Sequence, residues 1–309
     1  MQRLILANSQ SPGDIVMLTA AVRDLHRCYP QQFLTDVRTP CPELWEHNPD
    51  ITPLDELQPG TELLACHYPL IHSSNSTPVH FLEGFTEFLN SMLGLQIRTT
   101  EFCGAIYLSE EERSQPSPVL ELTRGCPFWI VAAGGKSDFT VKWWDSRRYQ
   151  QVVDHFSGRI QFVQIGERGH HHPALDDVID LRGQTSLRQL IRLIYHAHGV
   201  LTPVSLPMHL AAAIEGPPGQ RKHRPCVVVA GGREPPHWEA YPHHQFIHTI
   251  GALDCCDNGG CWKSRTEPLG DGSPADESDN LCVNVRGNLP ACMHMITAAD
   301  VIRRIEMYL

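Results

Sequence analysis

The order of apolar and polar positions along the chain predicts alternating strands and helices. Residues 3–7 are a short apolar run, residues 8–14 are a polar turn, and from residue 15 onward apolar residues recur at helical spacing. A buried strand, a glycine-containing turn and an amphipathic helix in this order open a doubly wound α/β lobe. The same kinds of pattern predict strands at 32–37 and 61–66 and a helix at 80–95.

A second series begins after a polar, proline- and serine-rich stretch at 110–125, which we interpret as a linker. Asp145 is placed to start a helix that stops at Gly158, and Ser186 with Gln189 forms a capping box for the next helix. Thr297 and Asp300 give the same signature before the last helix. The strands predicted in this half of the chain are 127–135, 160–166, 199–203 and 226–232.

Two such series predict an α/β protein of two doubly wound lobes. Ligands bind at the carboxyl ends of parallel strands, so both lobes should border one cleft. We assign residues 1–120 to an N-terminal lobe, 126–254 to a C-terminal lobe, 255–292 to a cysteine-rich segment and 297–309 to a C-terminal helix.

Charge and composition exclude several classes of partner. The 309 residues include 25 basic and 35 acidic ones, a formal net charge of −10, which argues against binding to nucleic acid backbones. No apolar run reaches the roughly 18 residues of a membrane span, and the N-terminus lacks a signal-peptide pattern. We therefore expect a cytoplasmic protein, a compartment that disfavours stable disulfides.

The stretch SPGD at 11–14 places Gly13 and Asp14 at the start of the first helix. Glycine in a strand-to-helix turn lets the backbone approach a ligand closely, and an acid there can face the cleft. The alternative is that Asp14 only caps the helix, a common use of aspartate.

The stretch AAGGKSDFTVKWW at 132–144 is a candidate anion cradle. Gly134 and Gly135 follow a strand and can expose backbone N–H groups, while Lys136 and Lys142 carry the charge that a diphosphate needs. The alternative is a pair of solvated lysines, because the stretch is not a Walker loop.

A third candidate is PVSLPMHLAAA at 203–213, a loop that leads into a short helix. A helix N-terminus can bind a phosphate, and Ser205, Met208 and His209 lie at this one. The alternative is that His209 is a structural histidine.

Five of the eleven cysteines cluster near the end of the chain, whereas the other six are scattered. The five are Cys255, Cys256, Cys261, Cys282 and Cys292. Four thiolates from two turns can form a tetrahedral site for zinc or iron, and disulfides or free thiols are the alternatives. Of the adjacent pair, we favour Cys256 over Cys255 as a ligand.

In order along the chain, GD, GGK with a second lysine, IGE at 165–167, GQTSLRQL at 183–190 and PMHLAAA resemble the heptosyltransferases of glycosyltransferase family 9. The resemblance implies the GT-B fold, in which the N-terminal lobe binds the acceptor and the C-terminal lobe a nucleotide-diphosphate sugar, with ADP-heptose the leading donor. It implies an inverting glycosyltransferase that uses no catalytic divalent metal.

The resemblance also implies roles by position. Asp14 would be the general base, Gly135, Lys136 and Lys142 would hold the leaving diphosphate, and Glu167 would hold the donor ribose. His209 would face the phosphates, and the loop with Ser205 and Met208 would lie beside the donor. This loop lacks the acid and the glycine that family members carry before the helix, Leu206 standing in place of the glycine. A sugar-nucleotide epimerase and an inactive nucleotide-binding scaffold stapled by metal are therefore alternatives.

The cysteine-rich segment resembles that of the autotransporter-type heptosyltransferases, a branch of the same family. This likeness implies a structural, cysteine-bound iron and a homo-oligomer. The acceptor is a protein or a glycan, and His67, His72 and Asn75 are the residues that we expect to contact it.

Overall fold

Two parallel sheets organise the chain in the computed structural model, which describes residues 1–68 and 70–309. The first sheet has the order β2-β1-β3 and the second the order β6-β5-β4-β7-β8-β9. The strands of the first sheet are β1 (Gln2–Ala7), β2 (Phe33–Arg38) and β3 (Thr61–Ala65). Those of the second are β4 (Phe128–Val131), β5 (Gln161–Gln164), β6 (Ile179–Asp180), β7 (Gly199–Pro203), β8 (Cys226–Gly231) and β9 (His244–His248).

The first lobe is built around β1 and the long helix α1 (Pro12–Cys28), whose residues from Ile15 to Leu25 are all buried. Helix α2 (Gly84–Leu93) packs on α1. The stretch that we interpreted as a linker contains two short helices, α3 (Glu110–Ser114) and α4 (Leu120–Thr123). That stretch is thus partly ordered by local hydrogen bonds, including a capping box formed by Ser109 and Glu112.

The second lobe has three layers. Helices α6 (Leu187–His196) and α7 (Leu206–Ala213) share an apolar core with one face of the sheet. The other face packs against α5 (Ser146–His155), α9 (Ala291–Met295) and α10 (Ala298–Glu306). The side chain of Asp145 accepts a hydrogen bond from the Arg147 N–H, and the capping boxes of α6 and α10 are both formed, which confirms the three predicted helix starts.

The cysteine-rich segment is mostly irregular. A short helix α8 (Pro236–Glu239) precedes it, and the hairpin β10 (Val285–Arg286) and β11 (Leu289–Pro290) lies at its end. Arg265, whose side chain is fully buried, pairs with Asp271 and Asp276 within the segment and with Asp138 outside it. The pair with Asp138 joins the segment to the second lobe.

The two lobes pack directly on each other. A single apolar cluster runs from α1 to α7 and the second sheet. At the edge of this contact, Arg188 of α6 pairs with Glu46 (Nε to carboxylate, 3.3 Å) and with Glu112 of the first lobe. Among the described residues, no helix combines the length and the apolar character that spanning a bilayer requires.

Candidate active site

Asp14 lies in the first turn of α1, on the side that faces the second lobe. Its carboxylate accepts a hydrogen bond from the backbone N–H of Ser11 at 2.9 Å, so it caps the helix. Burial raises its pKa, while the Ser11 N–H and the charge of Lys142 act in the opposite direction. Asp14 is thus both a cap and a partly desolvated acid, and a carboxylate with a raised pKa is a stronger base.

Both lysines of the predicted anion cradle reach the boundary between the lobes. Lys136 Nζ lies 3.4 Å from the Ser11 hydroxyl of the first lobe. Lys142 Nζ lies 2.6 Å from a carboxylate oxygen of Glu234 and 3.5 Å from the Val204 carbonyl oxygen. Asp14 and the two ammonium groups therefore border one region between the lobes.

The two glycines of the cradle are fixed by the loop at 168–172. Gly134 has φ +131°, and a Cβ there would lie 2.0 Å from the His171 carbonyl oxygen, so no other residue fits. The Gly135 N–H donates to the same oxygen at 2.9 Å. This N–H is already bonded within the second lobe, whereas the ammonium groups of Lys136 and Lys142 reach the lobe boundary.

Three residues of the loop into α7 are predicted to lie beside the donor, and of these only Ser205 is partly exposed. Ser205 precedes the helix, with its hydroxyl 2.9 Å from that of Thr202. The Met208 side chain is fully buried in the core. His209 is buried, its Nδ1 lies 2.8 Å from the Tyr241 hydroxyl, and burial lowers its pKa to about 3.

His209 is therefore a neutral imidazole at neutral pH rather than a cation for a phosphate. Its ring meets the first lobe, where a Cβ on Gly13 would lie 3.0 Å from its Cδ2 atom. The surroundings of His209 are those of a structural histidine, the alternative that the sequence left open.

Glu167 lies on the loop after β5, at the carboxyl edge of the second sheet. Its side chain is 71% exposed and one oxygen lies 3.4 Å from His170 Nδ1. The carboxylate is accessible, as a group that binds a ribose hydroxyl needs to be.

Two buried acids beside this region were not found from the sequence. Burial alone would raise the pKa of Glu234, but Arg233 and Lys142 bring it below its ordinary value. Burial and the neighbouring Glu234 raise the pKa of Glu239 well above its ordinary value. The sequence GGREPPHWE places both next to a strand end, and this was the available signal.

The three residues expected to contact the acceptor do not share one environment. The ring of His67 packs edge-on against Phe88, with centroids 5.9 Å apart. The Asn75 amide is bonded to Gly260 and Trp262, so it docks the cysteine-rich segment, although the residue is exposed. The side chain of His72 lies outside the described part of the structure.

A cavity of about 320 Å³ lies on the outer side of the Gly134 loop. Trp143, which stacks on His171 at 4.1 Å between centroids, forms one wall. Arg147 and Arg286 lie at its rim. Gly134 is the one predicted donor residue on its wall, so this cavity is separate from the region that Asp14 and the lysines border.

All five clustered cysteines line one small cavity of about 10 Å³, together with Val141, Gly232, Arg233, Leu253, Asn284 and Pro290. That volume holds about one water molecule or ion. Burial raises the pKa of Cys255 and of Cys292 to about 11, and the neighbouring thiols add to it. Cys255 and Cys292 are therefore protonated at neutral pH unless a cation compensates the charge of their thiolates, as a bound metal ion does.

Spacing limits what these thiols can hold as they stand. Among the described residues, only Glu46, His47 and Glu112 bring three possible ligand atoms within 4.8 Å of one another. Thiolates around a single zinc ion stand about 3.8 Å apart, as metal–sulfur distances of about 2.3 Å require. To bind one ion together, the cysteine sulfurs would therefore have to move closer to one another than they are in this structure.

Comparison with known proteins agrees with the sequence motifs. Residues 80–218 match the model of glycosyltransferase family 9 (heptosyltransferase). No sequence among the curated proteins matches. Among solved structures, the glycosyl transferase family 9 protein of Veillonella parvula superposes with a TM-score of 0.68 at 13% identity, covering 99% of this chain and 97% of that one.

Two further structures share the fold. The ADP-heptose LPS heptosyltransferase II of E. coli has a TM-score of 0.62 at 15% identity over 100% of this chain and 98% of its own. The dodecameric, iron-containing heptosyltransferase TibC of enterotoxigenic E. coli, solved with ADP-D-β-D-heptose, has a TM-score of 0.64 at 15% identity over 99% and 76%. These findings show a chain of GT-B fold whose residues 80–218 match glycosyltransferase family 9, a family of glycosyltransferases.

Proposed function

We propose that this protein transfers a sugar, with heptose from ADP-heptose the leading donor, to a hydroxyl of a protein or glycan acceptor, with inversion and with Asp14 as the general base. The observation that carries the proposal is the position of Asp14. It is a partly desolvated carboxylate at the boundary between the lobes, within electrostatic range of Lys142.

The chemistry requires a proton acceptor and a stabilised leaving group. Asp14 takes the proton of the acceptor hydroxyl as that oxygen attacks the anomeric carbon. The bond from this carbon to the diphosphate breaks, and the nucleotide diphosphate leaves with the electron pair. Lys136 and Lys142 offset the charge that develops on the leaving diphosphate. Glu167 is accessible to hold the ribose of the donor.

Adenine nucleotides are proposed as donors because the similar structures of TibC and of an E. coli heptosyltransferase were solved with ADP-heptose and ADP. The TibC structure is also dodecameric and iron-containing. We include in the proposal a homo-oligomer, a cytoplasmic location and a structural iron or zinc bound by four of the five clustered cysteines, Cys256 being preferred over Cys255.

The cysteine pocket fits such a group chemically, since five thiols line one cavity and a cation would favour the thiolates of Cys255 and Cys292, whose pKa burial raises. A bound ion with four thiolate ligands is saturated and would serve the stability of the segment. The residues of this chain would contribute thiolates and close the pocket with Val141 and Gly232.

The proposal is tested by Asp14→Asn. Asparagine can still accept the Ser11 hydrogen bond, so the fold and the affinity for ADP should be retained, whereas sugar transfer should fall by about three orders of magnitude. Isothermal titration with ADP and a transfer assay with ADP-heptose measure the two quantities. The acceptors offered are lipopolysaccharide core and a serine-rich protein.

A matched control exists in the last helix. Asp300 forms the same capping box with Thr297 that Asp14 forms with Ser11. Asp300→Asn also removes the charge of a capping carboxylate, and it should leave transfer unchanged. If Asp14→Asn transfers sugar as fast as Asp300→Asn, Asp14 is not the base.

A further inference from the structure

Lys142 is held in place by a buried carboxylate. Its ammonium lies 2.6 Å from an oxygen of Glu234, whose side chain is 3% exposed, and 3.5 Å from the Val204 carbonyl. A lysine side chain has four rotatable bonds, and a fixed partner removes most of that freedom. Glu234 therefore determines the position of the Lys142 ammonium group.

Glu234 is in turn fixed by Arg233. The same carboxylate oxygen accepts a hydrogen bond from Arg233 Nη1, so it lies between the two cations. The guanidinium also donates from Nε to the Lys263 carbonyl oxygen at 2.7 Å. It stacks over the rings of Phe139 and Trp262, at 4.7 Å and 5.4 Å from their centroids.

Lys263 and Trp262 belong to the cysteine-rich segment, which also docks on the first lobe. The Asn75 amide donates to the Gly260 carbonyl at 2.8 Å and accepts from the Trp262 indole N–H at 2.7 Å. Gly259, at φ +112°, allows this approach, because a Cβ there would lie 2.9 Å from the Asn75 side chain. The segment thus contacts the first lobe and the Lys142 support at once.

We propose that Arg233 and Glu234 are positioning residues for Lys142, and that the cysteine-rich segment, docked on Asn75, holds them in place relative to the first lobe. The proposal rests on the proposed function, because the role of Lys142 is to meet the diphosphate of the donor. The same cavity wall, Gly232 and Arg233, borders the five cysteines. When the segment is ordered, it therefore fixes Arg233, and through Arg233 and Glu234 the position of Lys142.

The test is a double-mutant cycle on ADP affinity. Without the carboxylate, the ammonium of Lys142 and the guanidinium of Arg233 face each other and repel. Glu234→Gln should weaken ADP binding about tenfold, and Lys142→Met at least as much. If Glu234 acts through Lys142, Glu234→Gln causes no further loss in the Lys142→Met background. Glu234→Asp, which keeps the charge, should recover part of the affinity.

Three results would overturn the positioning role. Additive losses in the cycle would show a general structural effect, and an unchanged affinity of Glu234→Gln would show that Lys142 needs no partner. Tighter ADP binding by Glu234→Gln would show that Glu234 competes with the diphosphate. These results differ from those expected if the proposed function is wrong, because Lys142→Met would then leave ADP binding unaffected. Thermal melts check that each variant is folded.

The docking part has a test of its own. Asn75→Leu removes all three hydrogen bonds to the segment and should weaken ADP binding several-fold, although Asn75 lies in the other lobe from the lysine. Asn258→Leu is the control, because Asn258 is an exposed neighbour in the segment whose amide bonds only to Asp257. Equal ADP affinities of the two variants would overturn the link between Asn75 and the donor site.

Discussion

Single side chains at the lobe boundary combine functions that the sequence presents as alternatives. Asp14 caps α1 by accepting the Ser11 N–H with one carboxylate oxygen, and its burial also raises its pKa. His209, by contrast, has the surroundings of only one of its alternatives, a structural histidine. It is buried against Gly13 of the first lobe, and this contact exists only in the folded protein. The sequence predicted local hydrogen bonds such as the helix cap. It did not predict burial that depends on contact with the other lobe.

The five clustered cysteines allow a prediction at this scale. Cys261→Ser should abolish binding of the proposed metal ion and lower the free energy of unfolding together, because such an ion would stabilise only the folded segment. Cys126→Ser changes an exposed thiol far from the cavity and serves as the control. Metal content by mass spectrometry and thermal melts with and without a chelator measure both effects. Unchanged metal in Cys261→Ser would remove this residue from the ligand set.

Among the elements, those with a complete local signal were predicted most closely. The capping box of Ser186 and Gln189 marks the start of α6, and Thr297 with Asp300 marks that of α10. The short α3 and α4 were interpreted as linker, because four or five residues carry too little periodicity to indicate a helix. The positions of the elements that build the site were thus mostly predictable, and the contacts between them were not.

Helix α6 offers a measurable test of its cap. The Ser186 hydroxyl accepts a hydrogen bond from the Gln189 N–H at 3.2 Å, so Ser186→Ala should lower the free energy of unfolding by about 1 kcal/mol. Ser157→Ala, at another exposed serine, should change it by less than about 0.5 kcal/mol. Urea unfolding monitored by circular dichroism compares the two. Equal stabilities would mean that α6 is held by packing alone.

In the whole molecule, the lobes are joined by one apolar cluster and by the ion pairs of Arg188. Its guanidinium reaches Glu46 and Glu112 and donates to the Tyr107 carbonyl at 2.8 Å. The sequence predicted two lobes and a cleft, but it contained no signal that they would pack this closely. Long-range ion pairs depend on the finished fold, which a residue pattern does not specify.

Loss of this arginine should loosen the lobes. Arg188→Met leaves Glu46 and Glu112 without their shared cation, and we expect a larger radius of gyration by small-angle X-ray scattering. Arg182→Met is the matched control, because Arg182 pairs with Asp180 and the His172 carbonyl within the second lobe. If the two variants scatter alike, the ion pairs of Arg188 do not hold the lobes together.

The hydrogen bonds between Asn75 and Gly260 also set an order of events during synthesis. The two residues are 185 positions apart, which at roughly 5–20 residues per second separates their translation by roughly 10–40 s. Through this interval the first lobe can form its sheet, but its docking surface for the segment stays uncovered. A nascent chain that stops before residue 260 therefore cannot assemble the Lys142 support. Completion of the proposed donor site is thus coupled to the translation of residues 260–263.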